Sequence, residues 1–557
     1  MADLTSAVRS ATTHARRWWI LAVLCLSVLL AAIDNTIVNV ALPTLSRQIG
    51  ASTSDLQWVV DAYTVAFASL LLVCGNIGDR LGRRRVLQVG LVLFALASLA
   101  AALSTTVDQL IAARAAMGVC VALVYPTTLA MLPAVFVDRQ ERAVAIGVWS
   151  GVSGLAIALG PVVGGLLLEH YGWWSIFLVN LPVLALALVL GAVLLPESRD
   201  PSPGRFDVAG ALLSVASVSM LVWTVIEAPT RGWTSWTVEA GFAGAAILVV
   251  GFVLLEARSD NPLLEVRLFR NARFSAASAT ISIAFFGLFG FIFMITMYFQ
   301  LVRGYSTLRA GAATLPYAAV MGVLSPLAIL AARKIGTKAV VGGGMLLMAA
   351  GFLVAARASV TADYWGVVVV SMCLMAAGMA LATGPSTDSV LAALPESRAG
   401  VGSAVNDTTR ELGGALGVAV VGSVMSWYYG SQLAQAWTGL GVAPATLQSG
   451  RTSLAAGLAA AGPDPALAGA VRSSFMAGLH AGSFTAAAAA LLAALAALLF
   501  LPQHDAPATA AVADGPTTGI PDRIAAASGV ARPSAAPVPS RARSERPQPG
   551  PAEVVRS

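Results

Sequence analysis

Acidic and amide side chains inside a membrane-length apolar run are the residues of this sequence best placed to do chemistry. The run from Trp18 to Pro43 contains Asp34, with Asn35 and Asn39 close by. A carboxylate within a spanning helix costs at least ~2.5 kcal/mol on insertion scales, and such residues usually belong to a proton or ion pathway. We therefore predict that Asp34 takes up and releases a proton. A buried acid that pairs with a cation only for packing is the alternative.

Two other charged residues could share this chemistry. Asp61 and Arg114 also lie in apolar runs, at a predicted depth similar to that of Asp34. Contact with an arginine stabilises the ionised form of an acid, whereas burial stabilises its neutral form. A contact that changes between two conformations would therefore load and unload a proton, and we expect one network of two acids and an arginine. Asp61 could equally be an ordinary interfacial residue beside Trp58.

The composition places these residues in a membrane protein. Of 557 residues, 57% are hydrophobic and only 11% are charged, whereas soluble proteins average ~25% charged residues. The net charge of +6 is spread over short segments between apolar runs, so we expect no nucleic-acid partner. The four cysteines all fall in apolar runs, which excludes a disulfide framework. No nucleotide-binding loop, metal cluster or catalytic triad is visible in the sequence, so we expect neither an enzyme nor a cofactor.

Apolar runs of about 20 residues identify the spans. There are fourteen: 18–41, 57–77, 86–104, 108–133, 142–167, 173–195, 206–227, 237–257, 274–301, 310–332, 338–357, 364–393, 401–427 and 477–501. If both termini are cytoplasmic, the cytoplasmic segments carry 25 lysines and arginines and the opposite segments carry 7. This asymmetry predicts that orientation by the positive-inside rule. The fold class predicted is an all-α integral membrane protein of the cytoplasmic membrane.

The spans divide the chain into five parts. A cytoplasmic N-terminus (1–17) precedes a six-helix bundle (18–200), an inserted two-helix linker (201–270) and a second six-helix bundle (271–501). The second bundle includes a long outer loop (428–472), and a disordered cytoplasmic tail (502–557) follows. Residues 1–17 precede a span that is too long for a signal-peptide core, so we expect them to be retained. Two six-helix halves are typical of secondary transporters, whose substrate site lies between the halves near the midplane.

A glycine- and arginine-rich motif joins the second and third spans. It reads Gly-x-x-Gly-Asp-Arg-x-Gly-Arg-Arg from Gly75 to Arg84. Glycines allow a tight turn and close helix approach, and arginines favour the anionic inner leaflet. A generic basic loop would explain the arginines but not the whole pattern. The residues of this latch motif are Gly75, Gly78, Asp79, Arg80, Gly82 and Arg83.

This loop resembles that of the major facilitator superfamily, and further motifs resemble its fourteen-helix drug:proton antiporters. The segment Asp34–Pro43 is similar to their first-helix signature, and Leu110–Arg114 is similar to a fourth-helix motif. The stretch Asn406–Gly414 is similar to a signature of the thirteenth helix. The fifth span resembles their antiporter glycine motif through Gly154, Gly160, Pro161, Gly164 and Gly165. Together these motifs cover residues 18 to about 427.

The resemblance implies roles for several of these residues. The latch motif would bind the other half in one conformation only, through Asp79. The antiporter glycine motif would seal the cavity, although close packing of small residues has the same sequence requirement. Arg114 would handle protons together with Asp34.

The second half offers fewer candidates. One helical turn contains three charged residues: Asp407, Arg410 and Glu411. They either bind Asp79 of the first half or pair only with one another as a structural triad. Aromatic and polar side chains could line a substrate cavity, although we expect at least half of the aromatics in span 274–301 to face lipid. The cavity candidates are Asn35, Asn39, Phe289, Phe293 and Gln300.

The expected function is proton-coupled export of drug-like or lipophilic compounds by alternating access. The expected partners are protons, small lipophilic or cationic substrates and membrane lipids, and we expect a monomer. A dedicated exporter of one endogenous metabolite, such as an antibiotic, a siderophore or a lipid, would share every motif. An uptake symporter and a non-transporting sensor are further alternatives.

Overall fold

The computed structural model describes residues 2–136, 138–198, 207–259, 262–393 and 399–503. Within these ranges, the side chains of residues 2–15, 72, 76, 79, 139, 140, 143, 150, 153, 154, 157, 158 and 399–404 lie outside the description. The described residues belong to one compact unit, Met1–Ala508. Most of the tail that was expected to be disordered, from residue 504 onward, and residues 201–206 of the linker lie outside the described part.

The first part of the chain forms a helical bundle. Its helices are α1 (Ala2–Gln48), α2 (Thr53–Leu81), α3 (Arg83–Ala102), α4 (Val107–Val135), α5 (Arg139–His170), α6 (Ser175–Leu178) and α7 (Asn180–Leu194). Local signals explain several boundaries. Ser52 and Asp55 form a capping box at the start of α2, which satisfies otherwise unpaired amide groups. Gly82 separates α2 from α3 with a φ of +104°, a conformation that favours glycine.

The remaining helices form the inserted pair and the second bundle. The inserted pair is α8 (Val208–Arg231) and α9 (Trp236–Arg258). The second bundle contains α10 (Ala272–Met297), α11 (Thr307–Ala312), α12 (Leu315–Ile335), α13 (Thr337–Ala355), α14 (Val369–Ala392), α15 (Ala399–Gly439), α16 (Pro444–Arg451), α17 (Leu454–Ala461) and α18 (Pro465–Phe500). A π-helical turn, Tyr298–Val302, extends α10, and another, Tyr364–Val368, precedes α14.

The described residues are helical or irregular, without a strand. Twelve helices in the described part are long and apolar enough to cross a membrane, so the chain is a multi-pass membrane protein. Helices α2 and α5, which correspond to the predicted spans 57–77 and 142–167, are 29 and 32 residues long. They are not among those twelve, and both contain side chains outside the description.

Helix α10 differs from expectation in its surroundings. At least half of its aromatic side chains were expected to face lipid, and this prediction was wrong. Phe289, Phe291 and Phe293 are at most 4% exposed, and the following Tyr298 and Phe299 are 1% exposed. Helix α10 packs against α14, α15 and α18 in the interior of the second bundle. Its all-apolar sequence does not distinguish a helix buried in the protein from one that faces lipid.

The two bundles meet at the end where α1 stops and α2 begins, which we call the Ser46 end. The opposite end, where α3 begins, is called the Arg83 end. Helix α2 packs on α15, and α5 packs on α11. The inserted α8 packs on both α2 and α15, so it lies along the seam between the bundles.

Side-chain hydrogen bonds join the bundles near the Ser46 end. Gln57 Nε2 donates to the carbonyls of Val418 and Ala419 at 3.2 and 2.9 Å. Gln300 Nε2 donates to the carbonyl of Val40 at 2.8 Å, and Ser46 Oγ donates to Ser453 Oγ at 3.1 Å. The Ser46 end is therefore closed in this conformation.

The long segment after α15 contributes to that closure. The predicted outer loop, 428–472, is shorter in the structure, because α15 continues to Gly439 and α18 begins at Pro465, with α16 and α17 between them. Tyr429 holds this segment by donating to the carbonyls of Gly450 and Ser453 at 2.8 and 3.2 Å. The amide of Thr53 donates to the carbonyl of Thr452 at 3.0 Å. The segment thus covers the junction between α1, α2 and α15.

Candidate functional site

An ion pair lies at the centre of the first bundle. Arg114 of α4 donates through Nη1 to Oδ2 of Asp34 on α1 over 2.6 Å. Both side chains are 0% exposed. Each of the two helices has a charged residue within an otherwise apolar sequence. The structure brings these two predicted residues together. A buried charge requires a partner and hydrogen bonds, and each residue supplies the other's partner.

Neighbouring polar groups complete the surroundings of the carboxylate. Asn180 Nδ2, at the start of α7, donates to Asp34 Oδ1 at 2.8 Å and to Ser98 Oγ at 3.0 Å. Ser98 Oγ in turn donates to the carbonyl of Phe177 at 2.8 Å. Both oxygens of Asp34 therefore accept a hydrogen bond, an arrangement that fits the ionised form.

Arg114 is held by groups other than the acid. Its Nε donates to the carbonyl of Val59 at 3.0 Å, and its guanidinium lies 4.2 Å from the centre of the Tyr63 ring. The Tyr63 hydroxyl donates to the carbonyl of Ala31 at 3.1 Å. The Nη2 atom of Arg114 is buried without a hydrogen-bond partner. The guanidinium thus has one free donor for a group that arrives in another conformation.

Asp61 is not part of this network, contrary to the expectation of one cluster of two acids and an arginine. It shares a face of α2 with Trp58 and Val65, and these two residues pack with Val222 of α8 and Ala415 of α15. It is not an interfacial residue either, because it is 0% exposed and neither carboxyl oxygen has a hydrogen-bond partner. The sequence predicted how far along α2 Asp61 lies, but not which side of the helix it occupies.

A small cavity lies beside the ion pair, between the two bundles. Its volume is about 40 Å³, enough for a few waters at ~10–15 Å³ each. The ring of Tyr63 lies between this cavity and Arg114. The lining residues are Ala31, Ala32, Asn35, Tyr63, Phe67, Val121, Tyr125, Phe285, Phe289, Arg410 and Glu411.

The candidate cavity residues separate into two groups. Asn35 and Phe289 line the cavity. Asn39 does not, because its amide donates back to the carbonyls of Asn35 and Thr36 within α1 at 3.3 Å. Phe293 is 0% exposed within the second bundle. Gln300 joins α10 to α1 near the Ser46 end, so its contact belongs to the closure between the bundles.

The polar residues of α15 form a cluster at the opposite wall. Arg410 Nη1 lies 3.6 Å from Asp407 Oδ1, and its guanidinium lies 4.6 Å from the centre of the Phe285 ring. Asn406 Nδ2 donates to Asp407 Oδ1 at 3.3 Å. Glu411 lines the cavity, and its Oε2 is buried without a partner. The cavity wall therefore contains one carboxylate oxygen that is free to accept.

The glycines of α5 contact two different elements. An added Cβ at Gly164 would lie 2.7 Å from Ile37 of α1, and one at Gly165 would lie 2.6 Å from the carbonyl oxygen of Thr307 of α11. Gly160 likewise faces Thr36, and Pro161 presents its carbonyl to Gly311 of α11. The environment of Gly154 lies outside the description. This motif therefore connects the segment next to Asp34 with the second bundle.

The latch motif makes its described contacts within the first bundle. Gly75 and Gly78 lie against Pro126 and Thr127 of α4, where an added Cβ would be 3.6 and 2.7 Å away. Arg83 Nη1 donates to the carbonyl of Ala130 at 2.8 Å. The side chain of Asp79 lies outside the description, as do contacts that depend on it. The predicted binding of Asp79 to the other half therefore stays a prediction.

Sequence reasoning missed three contributors to the site. Asn180 and Ser98 are single polar residues in apolar runs, the same signal that identified Asp34. Tyr63 carried no signal, because a tyrosine in a span is usually interfacial. In the described residues no group of three or more His, Cys, Asp or Glu could hold a metal ion.

Comparison with known proteins identifies the family. The profile described as Major Facilitator Superfamily matches residues 24–418. The chain is 37% identical over 423 residues to the multidrug efflux pump LfrA of Mycolicibacterium smegmatis, covering 76% of this chain and 83% of that protein. It is 34% identical to the tetracenomycin C resistance and export protein of Streptomyces glaucescens, over 76% and 78% of the two chains. The methyl viologen resistance protein SmvA of Salmonella typhimurium is 32% identical, over 74% and 83%.

Solved structures agree at the level of the fold. A bacterial homologue of the human lysosomal transporter Spinster, inward-facing and unoccupied, matches with a TM-score of 0.61 at 18% identity, over 87% of this chain and 98% of that one. A D-xylose–proton symporter matches with a TM-score of 0.53 at 18% identity, over 87% and 98%. The resemblance to the drug-exporting members is confirmed by the sequence relatives. The chain is a transporter rather than an enzyme, and it belongs to the Major Facilitator Superfamily.

Proposed function

We propose that this transporter exports drug-like compounds in exchange for protons that bind and leave Asp34. The buried contact between Asp34 and Arg114 supports this proposal. Arg114 lies against the ring of Tyr63, which lines a cavity shared by both bundles. In the closed-Ser46-end conformation the carboxylate has two donors, which suits the state after proton release. Protonation of Asp34 would break its ion pair with Arg114 and favour a second conformation.

The topology of the proposed exporter has fourteen spans, with both termini in the cytoplasm. Helices α2 and α5 would complete the set, since each is longer than the ~20 residues that a bilayer requires. The Arg83 end would then be cytoplasmic, which suits the concentration of arginine and lysine there. The closed Ser46 end would be the outer face, so the conformation described would open to the cytoplasm.

The driving force is sufficient for such an exchange. One charge that crosses 100 mV is worth ~2.3 kcal/mol, and a pH gradient adds to it. The glycines of α5 support the coupling between the proton site and the bundles, because Gly164 touches Ile37 of α1, three residues after Asp34, and Gly165 touches α11. A shift of α1 on protonation of Asp34 would be passed to the outer contact between the bundles.

The cavity chemistry suits lipophilic cations. Glu411 supplies an acceptor oxygen without a partner, and Phe289 and Tyr125 supply aromatic walls. Cations are attracted both to carboxylates and to aromatic faces. One relative is named for resistance to methyl viologen, a dication, and another for export of tetracenomycin C. We propose that the cavity, which has room for only a few waters in this conformation, enlarges in another conformation to take planar or cationic compounds of this general kind.

Transport by inverted membrane vesicles tests the proposed direction and coupling. With an acid lumen, vesicles that contain the protein should accumulate methyl viologen and lose lumenal protons as they do so. Accumulation without proton loss would contradict antiport. A panel of unrelated competitors separates a multidrug pump from a dedicated metabolite exporter, the alternative suggested by the relatives that export an antibiotic, because only a multidrug pump is inhibited by many of them.

Substitution of Glu411 should alter selectivity without removing coupling. Glu411→Gln keeps the size of the side chain but removes its charge, so we expect vesicle uptake of methyl viologen to fall about tenfold, equivalent to ~1.4 kcal/mol. Uptake of an uncharged lipophilic substrate should change less than twofold. Phe289→Leu serves as the aromatic control and should weaken both substrates. Equal losses for charged and uncharged substrates in Glu411→Gln would contradict the assignment.

Substitution of Asp61 tests whether it is a second, separate proton site. A buried carboxyl without partners is tolerated when it carries a proton, and we propose that Asp61 carries one in this conformation. Asp61→Asn should leave the protein folded and lower the number of protons exchanged per substrate by one. Because Asp61 shares no partner with Asp34, Asp34-dependent exchange should survive. An unchanged proton-to-substrate ratio would contradict a carrier role for Asp61.

A further inference from the structure

An apolar groove opens on the outer surface of the first bundle, away from the transport cavity. It lies between α3 and α7 and has a volume of about 510 Å³. Its walls are side chains that face the bilayer, such as Val89 and Val189, which are 54% and 63% exposed. The complete lining is Gln88, Val89, Val92, Leu93, Leu188, Val189 and Ala192. A groove of this size falls within the range of ligand sites.

Two basic side chains lie at the Arg83 end of the groove. Arg84, at the start of α3, reaches across to the carbonyl of Ala192, one of the lining residues. The next residue, Arg85, has a side chain that is 79% exposed and lies 3.5 Å from Glu197. Two guanidinium groups with one neighbouring carboxylate leave a positive charge at the mouth of an apolar groove. That charge complements an anionic headgroup.

A third feature lies between the charge and the apolar walls. Gln88 is four residues after Arg84, about one helical turn further into the membrane. Its Nε2 is buried and has no hydrogen-bond partner, and it lies above Gly191 of α7, where an added Cβ would be 3.8 Å from it. A buried donor without an acceptor is unfavourable. Gln88 also lines the groove, so rotation of its side chain toward the groove would bring this donor to an ester carbonyl below a phosphate group.

We propose that the groove between α3 and α7 binds one anionic phospholipid, with its phosphate at Arg84 and Arg85, an ester carbonyl at Gln88 and an acyl chain along the valines. Each part of the groove matches one part of such a lipid in the right order. A zwitterionic lipid offers the chain and the ester but no net charge to complement the arginines. A soluble phosphate compound offers the charge but leaves Gln88 and the apolar walls uncovered.

Lipid retention by the purified full-length protein tests the site. The protein is exchanged into nanodiscs that contain phosphatidylglycerol and phosphatidylcholine in equal amounts, extracted, and analysed by native mass spectrometry. We expect one phosphatidylglycerol to be retained per chain. Arg84→Gln should lower the preference for phosphatidylglycerol about fivefold, because a basic residue near a lipid surface contributes ~1 kcal/mol. Gln88→Leu should lower retention of that lipid as well.

A groove-filling variant and its control complete the experiment. Val92→Trp places a large side chain in the groove and should abolish retention. Val253→Trp, on the exposed face of α9, should retain the lipid as the unmodified protein does. Equal retention of the two phospholipids, undiminished retention in Val92→Trp, or displacement of the lipid by glycerol 3-phosphate alone would each overturn the proposal. Transport activity is not part of the readout, so the outcome is independent of the proposed export function.

Discussion

Asp34→Asn should reduce gradient-driven transport to the level of vesicles without the protein while leaving the fold intact. The amide has the shape of the protonated acid but cannot lose a proton, so the exchange cycle stops. Its oxygen can still accept from Arg114 and its surroundings, and Arg114 keeps its contacts with the Val59 carbonyl and the Tyr63 ring. Transport in inverted vesicles, normalised to the amount of folded protein, measures the effect.

A matched control comes from the same helix. Asn39 is also a buried polar residue of α1, but its amide bonds only to its own helix. Asn39→Ala should therefore retain most of the transport. If Asp34→Asn transports against a gradient as well as the unmodified protein does, Asp34 is not the proton carrier.

Arg114→Gln should stop coupled transport by removing the partner of Asp34. Without the guanidinium, Asp34 loses the partner that stabilises its charge, and a buried acid in that position takes up a proton and remains neutral. The variant should therefore behave like Asp34→Asn in vesicle transport. The double variant should be no worse than either single one, because both changes remove the same exchange.

Infrared spectroscopy distinguishes this outcome from simple misfolding. A protonated carboxylic acid has its own carbonyl absorption, which we expect to increase in Arg114→Gln relative to the unmodified protein at neutral pH. The additional band should disappear in the double variant Asp34→Asn/Arg114→Gln. Arg357→Gln is the control for loss of an arginine, since the structure places this residue after α13 and away from the cavity. An additional band that persists in the double variant would assign the proton to another acid.

The two residues of the proposed proton site were predictable from the sequence because they are charged residues within apolar segments. Asp34 and Arg114 each interrupt a long apolar helix, and the cost of such residues in lipid implies that they meet a partner. The helix order also followed from apolar run length. Several helix ends were not predictable in this way: α15 ends at Gly439 and α18 begins at Pro465, each about three turns beyond the predicted spans 401–427 and 477–501.

What escaped prediction was the facing of helices whose whole circumference is apolar. Periodicity identifies a buried face only where polar residues mark the opposite one, and α10 has too few of them. At least half of its aromatics were consequently assigned to lipid, although most of them are buried in the second bundle. The position of Asp61 was wrong for a different reason: its depth along α2 matched that of Arg114, but it shares a face with Trp58 and Val65, which pack toward α8 and α15.

The pH dependence of substrate affinity in the purified protein shows whether Asp34 holds the proton that is exchanged for substrate. If a proton on Asp34 and the substrate exclude each other, the dissociation constant should rise up to tenfold for each unit of falling pH in the range where Asp34 titrates, which corresponds to one proton exchanged. The same measurement on Asp34→Asn, which resembles the protonated form, should give a weak affinity that is independent of pH over that range for an uncharged substrate, whose binding does not depend on Glu411. An unaltered pH dependence in Asp34→Asn would contradict the account.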